Sequence, residues 1–428
     1  MSKFSQLCSK YQTLITWVLR IFIGSTFLFS GIAKSIDIWG FTYKIEQYLN
    51  VWNWEFTRPI VVISAMALSA IEFIIGLAII SGSYKRISIW IALTIMSIML
   101  PLSAYLIHLD PIDHCGCFGD VLVISNNATF IKNIFISIGL VYLFFYNKKI
   151  SGIFHPQLQW IVASLSYIYI LLIGFIGYNI QPLFDFRQFK TGEHILSEST
   201  IYNEKFNFIY EKDGIHQSFS IDNLPDSSWT FIDREPLNNP SDEISQNITI
   251  YNLDDEDVTS DVISSLGEQI LLLIPEIKYA DLSYSYLINE MYNYISNNNG
   301  NMIGIFASND KKRISRWCDI SLAKWPKYIA EDTLIKELAR GKISVVYLKD
   351  GVIQWKRALS SIPTDIFSTT DKNNIMHKLY LNGDRQFLYL TVIFIGCLAL
   401  IFIFSWRIDI VKRLFLSQKQ KKECNFAK

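Results

Sequence analysis

The chain has 428 residues, 50% of them hydrophobic and 18% charged, and a formal net charge of zero. So apolar a composition excludes a purely soluble protein of this length, and a neutral chain whose basic residues gather beside apolar runs excludes nucleic-acid binding, which needs a basic surface. Six cysteines are too few to staple so long a chain, so their positions carry more information than their number.

In chain order, apolar runs of the length a helix needs to cross a bilayer fall at residues 14–34, 60–81, 87–107, 159–178 and 387–405, with a shorter one at 130–146. The first run is followed by Gly31-Ile32-Ala33, loosely like a processing site. It is nevertheless longer than a signal core and contains Arg20, so it is read as an uncleaved helix. Lys85 with Arg86, Lys148 with Lys149, and the tail residues Lys412, Arg413, Lys419, Lys421 and Lys422 place these segments and both termini on the cytoplasmic side. The loop from His108 to Thr129 has no Lys or Arg and carries Asp110, Asp113 and Asp120, which places it and residues 180–386 on the opposite, oxidising face.

The expected organisation is a four-helix membrane bundle over 1–150, a fifth transmembrane helix over 151–180, an extracytoplasmic α/β domain of thioredoxin type over 181–386, a sixth transmembrane helix over 387–406 and a basic cytoplasmic tail over 407–428. Within the soluble segment, Phe206 to Tyr210 before Glu211-Lys212-Asp213-Gly214 predicts a hairpin. Gln269 to Pro275 and Gly300 to Phe306 predict strands with a helix, Ser283 to Ile295, between them. Ile343 to Leu348 and Val352 to Trp355, joined by Lys349-Asp350-Gly351, predict a second hairpin. Strand, helix, strand, then hairpin is the order of a thioredoxin-type domain.

Charges inside membrane helices are costly and need partners. Counted from the cytoplasmic ends, Arg20 lies about 9 Å deep and Glu72 about 13 Å deep, so the expected buried pair is Arg20 with Glu72, either holding two helices together or contacting a substrate or quinone. Lys34 closes the first helix and is expected to reach toward lipid headgroups. Pro101 removes a backbone donor from the third run and is expected to kink it.

The main chemical candidate is His114-Cys115-Gly116-Cys117-Phe118-Gly119-Asp120. One residue between two thiols closes a strained disulfide ring, and a strained disulfide is readily passed on. His114 is placed to favour a thiolate as imidazolium. Four readings are open for Cys115 and Cys117: a redox pair, a static disulfide, a metal site with His114 and Asp113 or Asp120, and two unlinked buried thiols. Zinc would require four convergent ligands from one tight loop, so exchange is the leading reading and no metal is expected. Cys318 is read as a small buried residue, and Cys8, Cys397 and Cys424 lie in lipid or on the reducing side.

Arg20, Gly24, Phe27, Ser30-Gly31-Ile32-Ala33-Lys34, Asp37, Tyr48, Glu72 with Gly76, Cys115-Gly116-Cys117-Phe118-Gly119 and Asn133 together resemble the DoxX-type membrane proteins, in the branch that includes the methylamine utilisation protein MauE. The resemblance covers about the first third of the chain. It implies a redox-associated four-helix membrane protein whose MauE members are linked to disulfide formation in a secreted partner. A second set, Leu183 to Arg187, Tyr210 to Gly214, Ser228 to Phe231 and Val346 to Gly351, resembles an uncharacterised bacterial family that joins such a bundle to a thioredoxin-like extracytoplasmic domain. Against that pattern, Glu276-Ile277-Lys278-Tyr279 stands where a Cys-x-x-Cys pair would open the helix, and Ile343 where a cis-proline would sit.

The expected function is therefore thiol–disulfide exchange or electron transfer through the Cys-Gly-Cys loop, supporting maturation of an extracytoplasmic partner at a bacterial inner membrane. The competing expectation is a non-catalytic assembly factor whose soluble domain docks that partner. No haem, flavin or iron–sulfur motif is visible, and an electron carrier such as a quinone would have to bind within the bundle, near Arg20 or Glu72.

Overall fold

The computed structural model describes residues 3–109, 115–146, 152–196, 206–212, 215–220, 229–236, 248–308, 310–367 and 375–426. Two compact units divide the chain, residues 1–187 with 381–428 and residues 188–380. Among the described residues, six helices are long and apolar enough to cross a membrane: Tyr11–Ile36, Arg58–Ser81, Lys85–Leu109, Asn126–Tyr146, Pro156–Asn179 and Ile375–Ile410. This is a multi-pass membrane protein.

The first unit opens with α1 (Lys3–Ile36), α2 (Ile38–Val51), α3 (Arg58–Ser81), α4 (Lys85–Leu109) and α5 (Asn126–Tyr146). The second of these is an element the hydropathy pattern did not predict. Its fourteen residues are too few to span, and the Asp37 carboxylate starts it by accepting from the Gly40 amide at 2.8 Å. Pro101 lies within α4, as the sequence requires.

Helices α1 and α3 form the closest pair, because glycine lets their backbones meet. A Cβ on Gly76 would stand 2.4 Å from the Leu28 amide nitrogen, and one on Gly31 would stand 2.6 Å from that of Phe73. Neither position admits a side chain, so these contacts set the register of the two antiparallel helices. Residues near 30 then stand level with residues near 72. A core of Ile23, Phe27, Ile75, Ile79, Ile89, Ala92, Met96, Ile136 and Leu140 joins α1 and α3 to α4 and α5. The fifth spanning helix, α6 (Gln159–Asn179), and the last helix, α7 (Gly383–Phe426), complete the unit. Tyr169 of α6 stacks on Phe394 of α7 with ring centroids 4.2 Å apart.

The second unit holds two sheets. Strands β1 (Phe206–Lys212), β2 (Ile215–Ser220) and β3 (Thr230–Pro236) form an antiparallel sheet in the order β2-β1-β3. The larger sheet contains β4 (Ile250–Tyr251), β5 (Glu268–Ile274), β6 (Asn301–Phe306), β7 (Lys327–Ala330), β8 (Ser344–Lys349) and β9 (Val352–Ala358), ordered β4-β7-β6-β5-β8-β9. Strands β5, β6 and β7 run parallel, while β8 and β9 are antiparallel additions beside β5. The helix Ser285–Asn297 makes the crossover from β5 to β6. The block β6-β5-β8-β9 with this crossover is a thioredoxin-like arrangement. Both faces of the sheet are covered by apolar clusters, which explains why β5, Glu268–Ile274, reads as a continuous apolar run rather than an alternating one. The sequence pattern did not predict the short strands β4 and β7.

Candidate redox site

Cys115 and Cys117 lie in the loop between α4 and α5, and the loop is fastened to the bundle from two sides. Tyr48 of α2 donates its hydroxyl to the Cys115 carbonyl at 2.9 Å. Ser30 of α1 has its Oγ 2.6 Å from the Cys117 carbonyl. Gly116, between them, adopts φ +70°, and a Cβ there would stand 2.7 Å from Cγ of Lys44. Only glycine meets both demands, the left-handed backbone and the passing lysine stem. Gly119 closes the turn by donating its amide to the Gly116 carbonyl at 3.1 Å.

The two thiols are 3.1 Å apart, sulfur to sulfur, in hydrogen-bonding contact. Cys115 is buried against Leu106, Tyr48 and Val51, while Cys117 is half-buried. Their acidities separate. The thiol hydrogen bond from Cys115, helped by the ammonium groups of Lys132 and Lys34, brings Cys117 down to about 6 against the opposing effects of burial and Glu72. The same hydrogen bond, with burial, pushes Cys115 up. Cys117 is the sulfur that carries the charge, and Cys115 is the one that holds a proton.

Below the loop is a buried polar group that the sequence reading paired incorrectly. Glu72 does not meet Arg20. Its carboxylate is held by Lys34, with Nζ 2.7 Å from Oε1 and 2.8 Å from Oε2, and Ser30 Oγ lies 2.7 Å from Oε2. Lys34 is 1% exposed and does not reach for headgroups. Arg20 instead finishes α3: Nε donates to the Ile79 carbonyl at 2.9 Å and Nη2 to the Ile80 carbonyl at 3.0 Å. A cation on the last carbonyls of a helix satisfies orphan acceptors and complements the dipole. Depth counting failed because α1 and α3 do not start from a common plane. Their glycine contacts set Ser30 beside Glu72, and Arg20, ten residues earlier in α1, lies about 15 Å back along the helix.

Ser30 therefore links the carboxylate to the peptide of Cys117, and its single hydroxyl proton is within reach of both oxygens. Phe118, the next residue, packs against Phe29 at 5.5 Å between ring centroids and lies under Lys132, whose Nζ is 4.3 Å from its ring. Residues from α1, α3, α4, α5 and the loop enclose a cleft of about 370 Å³, including its open mouth, and Ser30, Lys34, Glu72 and Cys117 line one end of it. Sequence reasoning singled out both cysteines but missed the Lys34–Glu72 pairing and the role of Lys132. Ser30 and Tyr48 stood in the resemblance pattern without an assigned task. His114, with Asp110 and Asp113, lies outside the described residues.

Residues 12–146 match the family described as Methylamine utilisation protein MauE. The first third of the chain is MauE-type. The match ends at the last residue of α5, so it contains the whole thiol loop and every residue of the buried polar group. Residues 204–237, which hold β1 to β3, match a domain family of unknown function, DUF8463. Protein TlpB of Flavobacterium psychrophilum is 26% identical over 138 residues, 32% of this chain and 38% of that protein. The chain thus covers well under half the length of this curated relative. A Bacteroides thetaiotaomicron solution structure, described as a candidate protein disulfide isomerase, shares 13% identity with a TM-score of 0.24, over 31% of this chain and 90% of that one. The thioredoxin-like character of the soluble unit rests on its own sheet order.

That unit lacks exchange chemistry where a thioredoxin would have it. After β5 the chain runs through Pro275 into a single turn at Ile277–Tyr279, with no thiol. Cys318 is 1% exposed within the core, and burial pushes its thiol up to about 11. Among the described residues, the MauE-type loop holds the one close pair of thiols.

Proposed function

We propose that the MauE-type bundle carries out thiol–disulfide exchange with an extracytoplasmic protein, through Cys115 and Cys117. The observation that carries this reading is the pair itself: two sulfurs 3.1 Å apart, one brought down to about 6 and the other held protonated. In the oxidised loop, a substrate thiolate attacks Cys115 and expels Cys117, because the more acidic thiol is the better leaving group. A mixed disulfide joins the partner to Cys115. The partner's second thiolate then attacks its own sulfur in that bond, leaving as a disulfide while Cys115 departs as a thiol. The loop ends with two thiols, and the partner has lost two electrons and two protons. Attack at Cys115 requires the loop to lift from Tyr48, Val51 and Leu106.

The soluble domain, which has no thiol in the turn that follows β5, serves as the docking module that holds the maturing partner. Lys85 and Arg86 on one side and the acidic, Lys- and Arg-free loop on the other support an inner-membrane topology with cytoplasmic termini and a periplasmic domain. The competing reading, a scaffold in which the cysteines never cycle, is separated from this one by trapping. With Cys117→Ser, mixed disulfides accumulate on Cys115 in living cells; with Cys115→Ser, they do not accumulate on Cys117. A loop that stays in one redox state and captures nothing removes the exchange mechanism and leaves the scaffold.

A further inference from the structure

Helix α2 does not stand away from the bundle; it lies across one end of it. Its first half shares a buried cluster with Val62 and Ala65 in the opening turns of α3, and Trp39 stacks on Tyr178 in the last turn of α6 with ring centroids 5.0 Å apart. Glu46 meets Arg58, the first residue of α3, at 3.0 Å, and Tyr48 and Val51 reach Leu106 in the last turn of α4. Contacts with these helix ends hold α2 roughly in the plane of the bilayer, at the end of the bundle that carries the thiol loop.

The chain then returns to α3 through Trp52-Asn53-Trp54-Glu55-Phe56, and the aromatic residues of this return are left uncovered. Trp52, Trp54 and Phe56 are exposed, although backbone hydrogen bonds hold the turn, from the Trp54 amide to the Leu49 carbonyl at 2.9 Å and from the Asn53 amide to the Asn50 carbonyl at 3.1 Å. Tyr48, Trp52 and Trp54 form a file of rings, with successive centroids 6.3 Å and 5.6 Å apart. The file starts at the hydroxyl that holds the Cys115 carbonyl and ends in the open. Trp39, the buried tryptophan of α2, spends its indole N–H on the Tyr178 carbonyl at 3.0 Å; among the described residues, those of Trp52 and Trp54 have no protein acceptor.

We propose that this return is an interfacial anchor: the Trp52, Trp54 and Phe56 rings sit at the boundary between phospholipid headgroups and acyl chains, and the two indole N–H groups donate to lipid ester or phosphate oxygens. Depth favours lipid. At 25 residues α4 is about 37 Å long, against about 30 Å of bilayer hydrocarbon, so its outermost turns stand among headgroups. Tyr105 lies one turn inside the end of α4 at Leu109, and its ring centroid is 6.5 Å from that of Trp52. Trp52 is therefore held within about one turn of the hydrocarbon edge.

Continuity and chemistry favour the same occupant. After Phe56, the exposed residues Ile60 and Ile63 carry the apolar strip down the outer face of α3, and Leu109 stands exposed at the end of α4. On a spanning helix such a wall is covered by acyl chains, and a surface continuous with it meets the same lipid. Tryptophan suits this layer, because its large apolar body enters the acyl edge while its N–H stays with polar oxygens. Tyr48 and Val51, which seat Cys115, lie within one turn of Trp52, so the anchor fixes that seat at the membrane surface. It does so whether or not the sulfurs exchange.

The test uses the full-length protein in nanodiscs of phosphatidylcholine and phosphatidylglycerol. The photoreactive residue p-benzoylphenylalanine is placed at Trp54, at Phe56 and, as a reference on the wall of α3, at Ile63, and illuminated samples are read by mass spectrometry. Phospholipid adducts are expected at all three. Phospholipids brominated beside the ester should also quench the emission contributed by Trp52 and Trp54, read as the difference from a Trp52→Phe, Trp54→Phe variant, more strongly than phospholipids brominated at the chain end. Trp54→Glu combined with Phe56→Glu should raise amide hydrogen exchange across residues 44–52 about tenfold, while unchanged exchange in α3 and α5 certifies the fold. Adducts at Ile63 with none at Trp54 or Phe56 overturn the anchor. Capture of another protein at Trp54 and Phe56 in native membranes overturns it as well and makes the strip a docking surface, as does unchanged hydrogen exchange over α2 in a folded double variant.

Discussion

Lys34 and Glu72 form an ion pair in the interior of the bundle, Nζ to Oε1 2.7 Å, with 1% and 4% of their side chains exposed. Breaking such a pair on one side leaves a buried charge without compensation. Lys34→Met or Glu72→Leu alone is expected to cost about 3–5 kcal/mol, and the double variant to recover most of it. Unfolding in detergent, followed by helical circular dichroism, measures the three values. A double variant as unstable as the sum of the singles would contradict the pairing. The same geometry predicts that Arg20→Glu combined with Glu72→Arg gives no rescue.

Arg20 acts on α3 through two backbone carbonyls far from the thiols. Arg20→Met should therefore lower stability by about 2 kcal/mol, the scale of hydrogen bonds from a charged donor. The alkylation rates of Cys115 and Cys117 should stay within twofold of wild type. A large change in thiol reactivity without loss of stability would show that Arg20 does more than close a helix.

Cys117 brought down to about 6 sets a pH profile. The thiolate is the reactive form, so alkylation of reduced protein should be near its plateau at pH 8 and fall roughly tenfold per pH unit below the midpoint. Because the Lys132 ammonium favours the thiolate, Lys132→Met should move the midpoint upward, toward the ordinary cysteine range. Rapid-quench alkylation with mass spectrometry reads both curves. A wild-type midpoint near 8.5 would remove the acidic thiol from the mechanism.

Tyr48→Phe deletes one hydrogen bond to the Cys115 carbonyl and keeps the ring that packs beneath it. The expected cost is about 1 kcal/mol of loop anchoring. Since exchange at Cys115 requires the loop to lift, mixed-disulfide formation with a model thiol should quicken by up to about fivefold, while global stability changes little. Stopped-flow exchange kinetics give the answer, and a slower reaction would place Tyr48 in a positive role.

Much of the architecture was present in one-dimensional pattern. Long apolar runs report spanning helices because lipid cannot hydrogen-bond a backbone, and the run length needed is set by bilayer thickness. The strand-helix-strand-hairpin order of the soluble unit was equally local, since β5, β6 and β8 each bury a run of apolar residues and the Lys349-Asp350-Gly351 turn announces β9. The strands β4 and β7 were not, because two to four residues are too short for a periodicity. Helix α2 was hidden for a related reason: its fourteen residues lie between two spans and are too few to register as a spanning run.

By itself, the sequence determined that the chain is a multi-pass membrane protein with a soluble α/β unit, and that Cys115-Gly116-Cys117 is the motif to watch. Tertiary structure alone decided which charges meet. Counting residues gives positions along each helix but no offset between helices. That offset comes from Gly31 and Gly76, where missing side chains let α1 and α3 touch backbone to backbone. The contact carries Lys34 and Ser30 to Glu72, leaves Arg20 at the end of α3, and joins the thiol loop through Ser30 to a buried charge pair and the cleft beside it.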